Sequence, residues 1–190
     1  LVEGMHPDWS IDDKQLLVTN DNVAWVVNID GSGSKNVGSG VGRFNPDGSE
    51  IIFVMSRKTD LTMLDSGTGT ERTLNLPLMP RRDLVAWSPD GKSLAIFGNI
   101  KGRTREPDKL LIVGATGEIS RVRLDVTKPS GLSYSPDGKQ LVFSTDGRIL
   151  VVDVDADTPP RVLQMQSGWI DAPHFSPDGN RIVFSCSRTK

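Results

Sequence analysis

The chain has 190 residues, 36% of them hydrophobic and 24% charged, with a formal net charge of −2. That balance fits a soluble globular protein with a sizeable core. It excludes a disordered polyelectrolyte and a nucleic-acid binder driven by overall charge. No apolar run approaches the roughly 18–20 residues of a membrane span, so no direct membrane insertion is expected. The first residues, Leu1-Val2-Glu3-Gly4, lack the basic and apolar stretches of a signal peptide and no initiator Met opens them, which reads as a mature or trimmed form. Cys186 is the single cysteine, so an internal disulfide and a cysteine-rich metal site are excluded.

In chain order, one motif recurs. Trp9-Ser10-Ile11-Asp12-Asp13 is a degenerate first copy, followed by Phe44-Asn45-Pro46-Asp47-Gly48. Trp87-Ser88-Pro89-Asp90-Gly91, Tyr134-Ser135-Pro136-Asp137-Gly138 and Phe175-Ser176-Pro177-Asp178-Gly179 complete the series. The copies are 35 to 47 residues apart, close to the roughly 40–45 residues of one four-stranded propeller blade. Pro presets φ for a type I turn, Asp suits the next position, and Gly supplies the positive φ that ends it. The aromatic before each turn is expected to lock between blades. After each turn apolar residues alternate, as in Ile51, Phe53 and Met55, or Ile182, Phe184 and Cys186. Period two predicts a strand.

A third strand is predicted at Val23 to Ile29, Leu61 to Leu64, Leu110 to Val113 and Ile149 to Val154. A fourth follows at Lys35 to Val37, Glu71 to Leu76, Ile119 to Leu124 and Arg161 to Met165. No stretch keeps a 3.6-residue period, so almost no helix is expected. The fold class is all-β, a β-propeller of about four and a half four-stranded antiparallel blades. The blades are expected near 5–40, 41–79, 83–125 and 130–167, with a half blade at 170–190. The whole reads as one incomplete domain, a fragment of a six- to eight-bladed ring. Its missing blades are expected from sequence outside this chain or from another chain. The degenerate first copy predicts a looser hairpin.

The aromatic-Ser-Pro-Asp-Gly pattern, followed in the last copy by Ile182, Phe184 and Arg188, resembles the TolB-type propeller repeat, a relative of the WD repeat. Pro7 and Pro173, two residues before the aromatic, also fit, and Cys186 stands where that family usually has Ser. The resemblance implies a bacterial, periplasmic or extracellular scaffold that binds a protein partner. Relatives also include the gating propellers of prolyl-oligopeptidase-like enzymes and a few lyases, so two alternatives stay open. One is an accessory propeller of a larger peptidase. The other is a lyase with a metal in the central channel.

No catalytic, cofactor or metal residue is predicted. The repeated aspartates Asp47, Asp90, Asp137 and Asp178 are explained by turn chemistry. His6 and His174 lack a visible third ligand. Gly31-Ser32-Gly33-Ser34 is no nucleophile elbow. Cys186, at an alternating position, reads as a small buried residue. Sorting loops by the end of the sheet they occupy gives one feature with functional meaning. Arg57, Lys58, Arg81, Arg82, Lys101, Arg103, Arg105 and Lys128 collect at one end. The other collects Asp12, Asp13, Asp30, Asp47, Asp65, Asp90, Asp137, Asp155, Asp157 and Asp178. Arg81, Arg82, Lys101, Arg103 and Arg105 are the expected partner-binding residues.

Overall fold

The computed structural model describes residues 4–55, 59–100, 106–165 and 168–188, and every regular element among them is a strand. The first blade is β1 (Met5–Trp9), β2 (Gln15–Asn20), β3 (Val23–Asn28) and β4 (Ser34–Ser39). The second is β5 (Val41–Phe44), β6 (Glu50–Val54), β7 (Asp60–Asp65) and β8 (Glu71–Asn75). The third is β9 (Met79–Trp87), β10 (Ser93–Asn99), β11 (Asp108–Gly114) and β12 (Ile119–Val126). The fourth is β13 (Ser130–Tyr134), β14 (Gln140–Thr145), β15 (Arg148–Asp153) and β16 (Arg161–Met165). A two-stranded sheet, β17 (Gly168–Phe175) with β18 (Ile182–Arg188), follows. Strands within each sheet keep sequence order, the meander expected of a propeller blade.

The repeated turn shows why the motif forms a hairpin. In the third blade Ser88 Oγ donates to Asp90 Oδ1 (2.6 Å) and accepts from Ser93 N–H (2.9 Å). Lys92 N–H donates to Asp90 Oδ1 (3.1 Å), and Gly91 N–H donates to Ser88 O (2.9 Å). Gly91 takes φ +69°, which a side chain would resist. Ser135 and Ser176 repeat this network. The first copy is no looser: Ser10 and Asp12 close the same bonds, and Asp13 adopts φ +56° where the others have Gly. Asp tolerates this region better than most residues, which is how the hairpin survives the exchange.

A second recurring device was not anticipated. The inner strands β1, β13 and β17 each slip register once, between Met5 and Asp8, Ser130 and Ser133, and Asp171 and His174. A positive-φ residue sits in each slip: His6, Gly131 and Ala172. Such bulges bend the inner strand and increase its twist.

The packing falls into two compact units, Leu1–Asp83 and Leu84–Lys190. In the first, Leu17 and Ala24 of one blade meet Ile51 and Phe53 of the next, with Val26, Val37, Phe44 and Leu64 at the margin. In the second, Leu84, Ala95, Phe97, Leu110 and Ile112 face Leu132, Tyr134, Leu141, Phe143 and Val152. Phe97 and Phe143 meet edge to face at 5.0 Å. Val142, Ile149 and Val151 then pack on Ile170, with Phe175, Ile182 and Phe184 partly buried against them.

Hydroxyls stitch neighbouring blades within each unit. Thr19 Oγ1 on β2 donates to Gly40 O beside β5 (3.1 Å). At the equivalent place on β14, Ser144 Oγ reaches Ile170 O of β17 (3.0 Å) and Ser130 O of its own blade (2.9 Å). The two bonds that cross to the next blade are buried, so each satisfies a carbonyl that would otherwise be costly to bury.

Candidate protein-interaction surface

Meander order places the first hairpin and the third-to-fourth turn at one end of every sheet. The second-to-third turn and the link between blades lie at the other end. The hairpin end is acidic for a local reason. In the first unit, hydrogen bonds from Ser10, Ser32, Ser49 and the Thr68 backbone hold the carboxyls of Asp12, Asp30, Asp47 and Asp65 below the usual range. In the second, Ser88, Ser135 and Ser176 do the same for Asp90, Asp137 and Asp178. The aspartates therefore stay ionised at neutral pH while serving the turns.

At the opposite end of the first unit, Arg81 is exposed at the start of β9. Arg82 is partly buried, and its Nη2 donates to Asn22 Oδ1 (2.5 Å), tying β9 to the β2–β3 turn. That turn has Asp21 at φ +48° and Asn22 at φ +66°, the signature of a type I′ hairpin. The same end carries His6, whose Nδ1 lies 3.3 Å from Asp83 Oδ1. The rim here is thus mixed in charge, with Asp21 and Asp83 among the cations, and Arg82 is anchored to the β2–β3 turn. The remaining expected binding residues, Lys101, Arg103 and Arg105, lie outside the described residues, as do Arg57 and Lys58.

The motif residues sit as structural parts. Trp87 and Tyr134 are buried, while Phe175 is only half-buried and Trp9 is exposed. A Cβ placed on Gly138 would lie 3.6 Å from Pro89, and one on Gly179 3.5 Å from Pro136, so each turn rests on the proline of the turn before. Burial, with the Asp90 and Asp155 carboxylates nearby, pushes the Tyr134 hydroxyl's pKa up, so it remains protonated. Cys186 is exposed, contrary to the alternation argument. Ile182 and Phe184 share its side of β18 and pack partly against the core, but the cover stops short of Cys186. Among the described residues, no group of three or more His, Cys, Asp or Glu is placed to hold a metal, and no helix is long and apolar enough to cross a membrane.

Sequence reasoning missed the stitching hydroxyls Thr19 and Ser144 and the cross-strand pairs behind them. Gln15 Nε2 donates to Asn28 Oδ1 (3.0 Å), and Gln140 Nε2 to Asp153 Oδ1 (2.9 Å). A signal existed: Gln15-Leu16-Leu17-Val18-Thr19 and Gln140-Leu141-Val142-Phe143-Ser144 place the same residue classes at the same distance from their turns.

No family model matches the chain. It is 29% identical to an uncharacterised protein of Agrobacterium fabrum, over 94% of this chain and 64% of that protein. It is 28% identical to the uncharacterised peptidase YuxL of Bacillus subtilis, over 78% of this chain and 22% of that one. The chain thus spans less than two thirds of either curated relative. Among solved structures, a protein of Agrobacterium tumefaciens assigned as TolB superposes with a TM-score of 0.75 at 25% identity, covering 95% of this chain and 69% of that one. TolB of Acinetobacter baumannii gives 0.68 at 18% identity, over 94% of this chain and 45% of that one. A hydrazine synthase chain of Kuenenia stuttgartiensis gives 0.78 at 19% identity, over 96% and 61%. Four meandering four-stranded blades and the likeness to TolB structures lead to one conclusion: in fold, this chain is a TolB-type β-propeller.

Proposed function

We propose that the chain is a non-catalytic, periplasmic protein-binding propeller of the TolB kind. The observation that supports this best is the contrast in the first unit between a hairpin end lined with ionised aspartates and an opposite rim where Arg81 and Arg82 stand among Asp21 and Asp83. Ionised aspartates fill the hairpin end, and Arg81 stands exposed at the other beside the anchored Arg82. Rigid strands with charged loops suit recognition of another surface, since loops carry function on a fixed scaffold. The partner proposed is an acidic protein surface docking on Arg81, Arg82, Lys101, Arg103 and Arg105. Arginine favours such a partner because its planar fork meets carboxylates bidentately.

Charge at this rim steers encounter more than it sets final affinity. With a partner purified from the source organism, charge reversal at Arg81, Arg82, Arg103 and Arg105 should slow association about tenfold at low salt and much less at high salt. An unchanged rate at low salt would remove the rim from the account. A second reading, an accessory propeller of a larger peptidase, is favoured by the match to YuxL. A hydrolase-coding segment in the same reading frame would support that reading and redirect the search from partners to substrates.

A further inference from the structure

Two interfaces between complete blades can be compared position by position. In the first unit β2 and β3 face β5 and β6, and in the second β10 and β11 face β13 and β14. Counted from the hairpin motif, Val26, Phe44, Ile51 and Leu64 correspond to Ile112, Tyr134, Leu141 and Val152. The second set is buried throughout. In the first set Ile51 is buried, while Val26, Phe44 and Leu64 are only half-buried. They floor an open cleft of about 540 Å³ between the two blades at the hairpin end. Amide and hydroxyl groups of Gln15, Asn28, Ser34, Asn36 and Ser66 line its walls.

One basic position distinguishes the two interfaces. Arg121 stands opposite Ile112 on the fourth strand of the third blade. Its Nη1 reaches Val154 O (3.5 Å) and Asp157 Oδ1 (3.4 Å) of the next blade, bridging that interface. Lys35 stands opposite Val26 in the same way. It lines the cleft, is exposed, and makes no hydrogen bond or ion pair among the described residues. The carboxyl on the far wall is committed to its own turn. Asp65 Oδ1 accepts from the N–H groups of Gly67 (3.0 Å) and Thr68 (2.7 Å) and from Thr68 Oγ1 (2.9 Å).

We propose that this cleft binds a short peptide segment of a partner protein, with an apolar side chain on the floor and an adjacent carboxylate against Lys35. The occupant would supply to Lys35 what Asp157 supplies to Arg121. The volume lies within the roughly 300–1,000 Å³ of ligand clefts, and wall amides and hydroxyls suit the N–H and C=O groups of a main chain. Ionised Asp65, with Asp30 in the neighbouring turn, disfavours a second negative charge, so the segment carries one carboxylate. The apolar anchor sets affinity, while an exposed ion pair adds little strength and chiefly selects the sequence. The cleft lies at the opposite end of the sheet from Arg81, so its test is independent of the arginine rim.

The probe is N-acetyl-Leu-Phe-Asp-amide, with Asn and Lys versions of the last residue as controls. In an NMR titration it should shift the amides of Lys35, Asn36, Val37, Ile51 and Leu64 and leave the second unit unchanged. At low salt the Asp peptide should bind about threefold more tightly than the Asn peptide, with the Lys peptide weakest. Lys35→Glu should reverse that order. Ser34→Trp, at an exposed wall position, should fill the cleft and weaken all three at least about tenfold. Thermal melts matching the wild type would show that both variants fold. No shift at millimolar peptide, shifts centred outside the cleft, equal affinity for the three peptides, or an order unchanged by Lys35→Glu would each overturn the proposal. Hydrocinnamate binding as tightly as the Asp peptide would also overturn it, and would make the cleft a site for small carboxylates.

Discussion

The fourth blade and the half blade after it share their hairpin closely. Ser135 and Ser176 make the same bonds to Asp137 and Asp178, and Gly138 and Gly179 take φ +73° and +71°. Yet Tyr134 and Val142 are buried, whereas Phe175 is half-buried and Val183 exposed. The turn is a local object, complete within a handful of residues. Burial is a gift of the neighbouring blade, which the motif cannot supply.

The largest expected effect comes from equivalent phenylalanines. Phe143→Ala should cost about 3–5 kcal/mol in chemical denaturation, and Phe184→Ala markedly less, because Phe143 is fully enclosed and Phe184 is not. Trp87→Ala belongs with Phe143, since that indole is buried too. Equal losses at positions 143 and 184 would erase the contrast between the two regions.

The valines sharpen it. Val142→Ala should cost roughly 2 kcal/mol, while Val183→Ala should stay within about 0.5 kcal/mol of wild type. The stitch comes next: Ser144→Ala should lose about 1 kcal/mol, with little change for Ser185→Ala in dilute protein. Tyr134→Phe is expected to lose no stability, because the buried hydroxyl finds no partner in the structure and its removal ends a desolvation cost.

Smaller effects isolate the turn itself. Gly138→Ala should cost about 1 kcal/mol from its positive φ alone, as the space beside it is open enough for a methyl group. Asp13→Gly in the degenerate copy should gain several tenths of a kcal/mol, since Gly adopts that φ without strain. Ser135→Ala removes the main cause of the lowered Asp137 carboxyl, so an NMR titration should show its pKa rise towards the ordinary 3.8. The sign follows from the depressed folded pKa. The bond stabilises above the unfolded value and is lost as pH falls through the folded one, so wild type and variant should converge in strong acid.

Much of the fold was legible because the repeat states its own geometry. Pro, Asp and Gly fixed the hairpins, and alternation after each turn located the second strands. The bulges were not legible. His6, Gly131 and Ala172 share a backbone conformation but no side-chain chemistry, so only Pro7 and Pro173 behind two of them hinted at a common device. Cys186 was misread because alternation gives the side of a strand, not how far the neighbouring blade reaches along it. Sequence put Arg81 and Arg82 at the end of the sheets opposite the hairpins. It could not show that Arg82 is held by Asn22, a residue sixty positions away.

Amide hydrogen exchange along β14 and β18 tests most directly the claim that a blade's burial is conferred by the blade that follows. In dilute protein the β14 amides should exchange only through near-global unfolding, while those of β18 exchange orders of magnitude faster. Equal protection of the two strands would contradict the account.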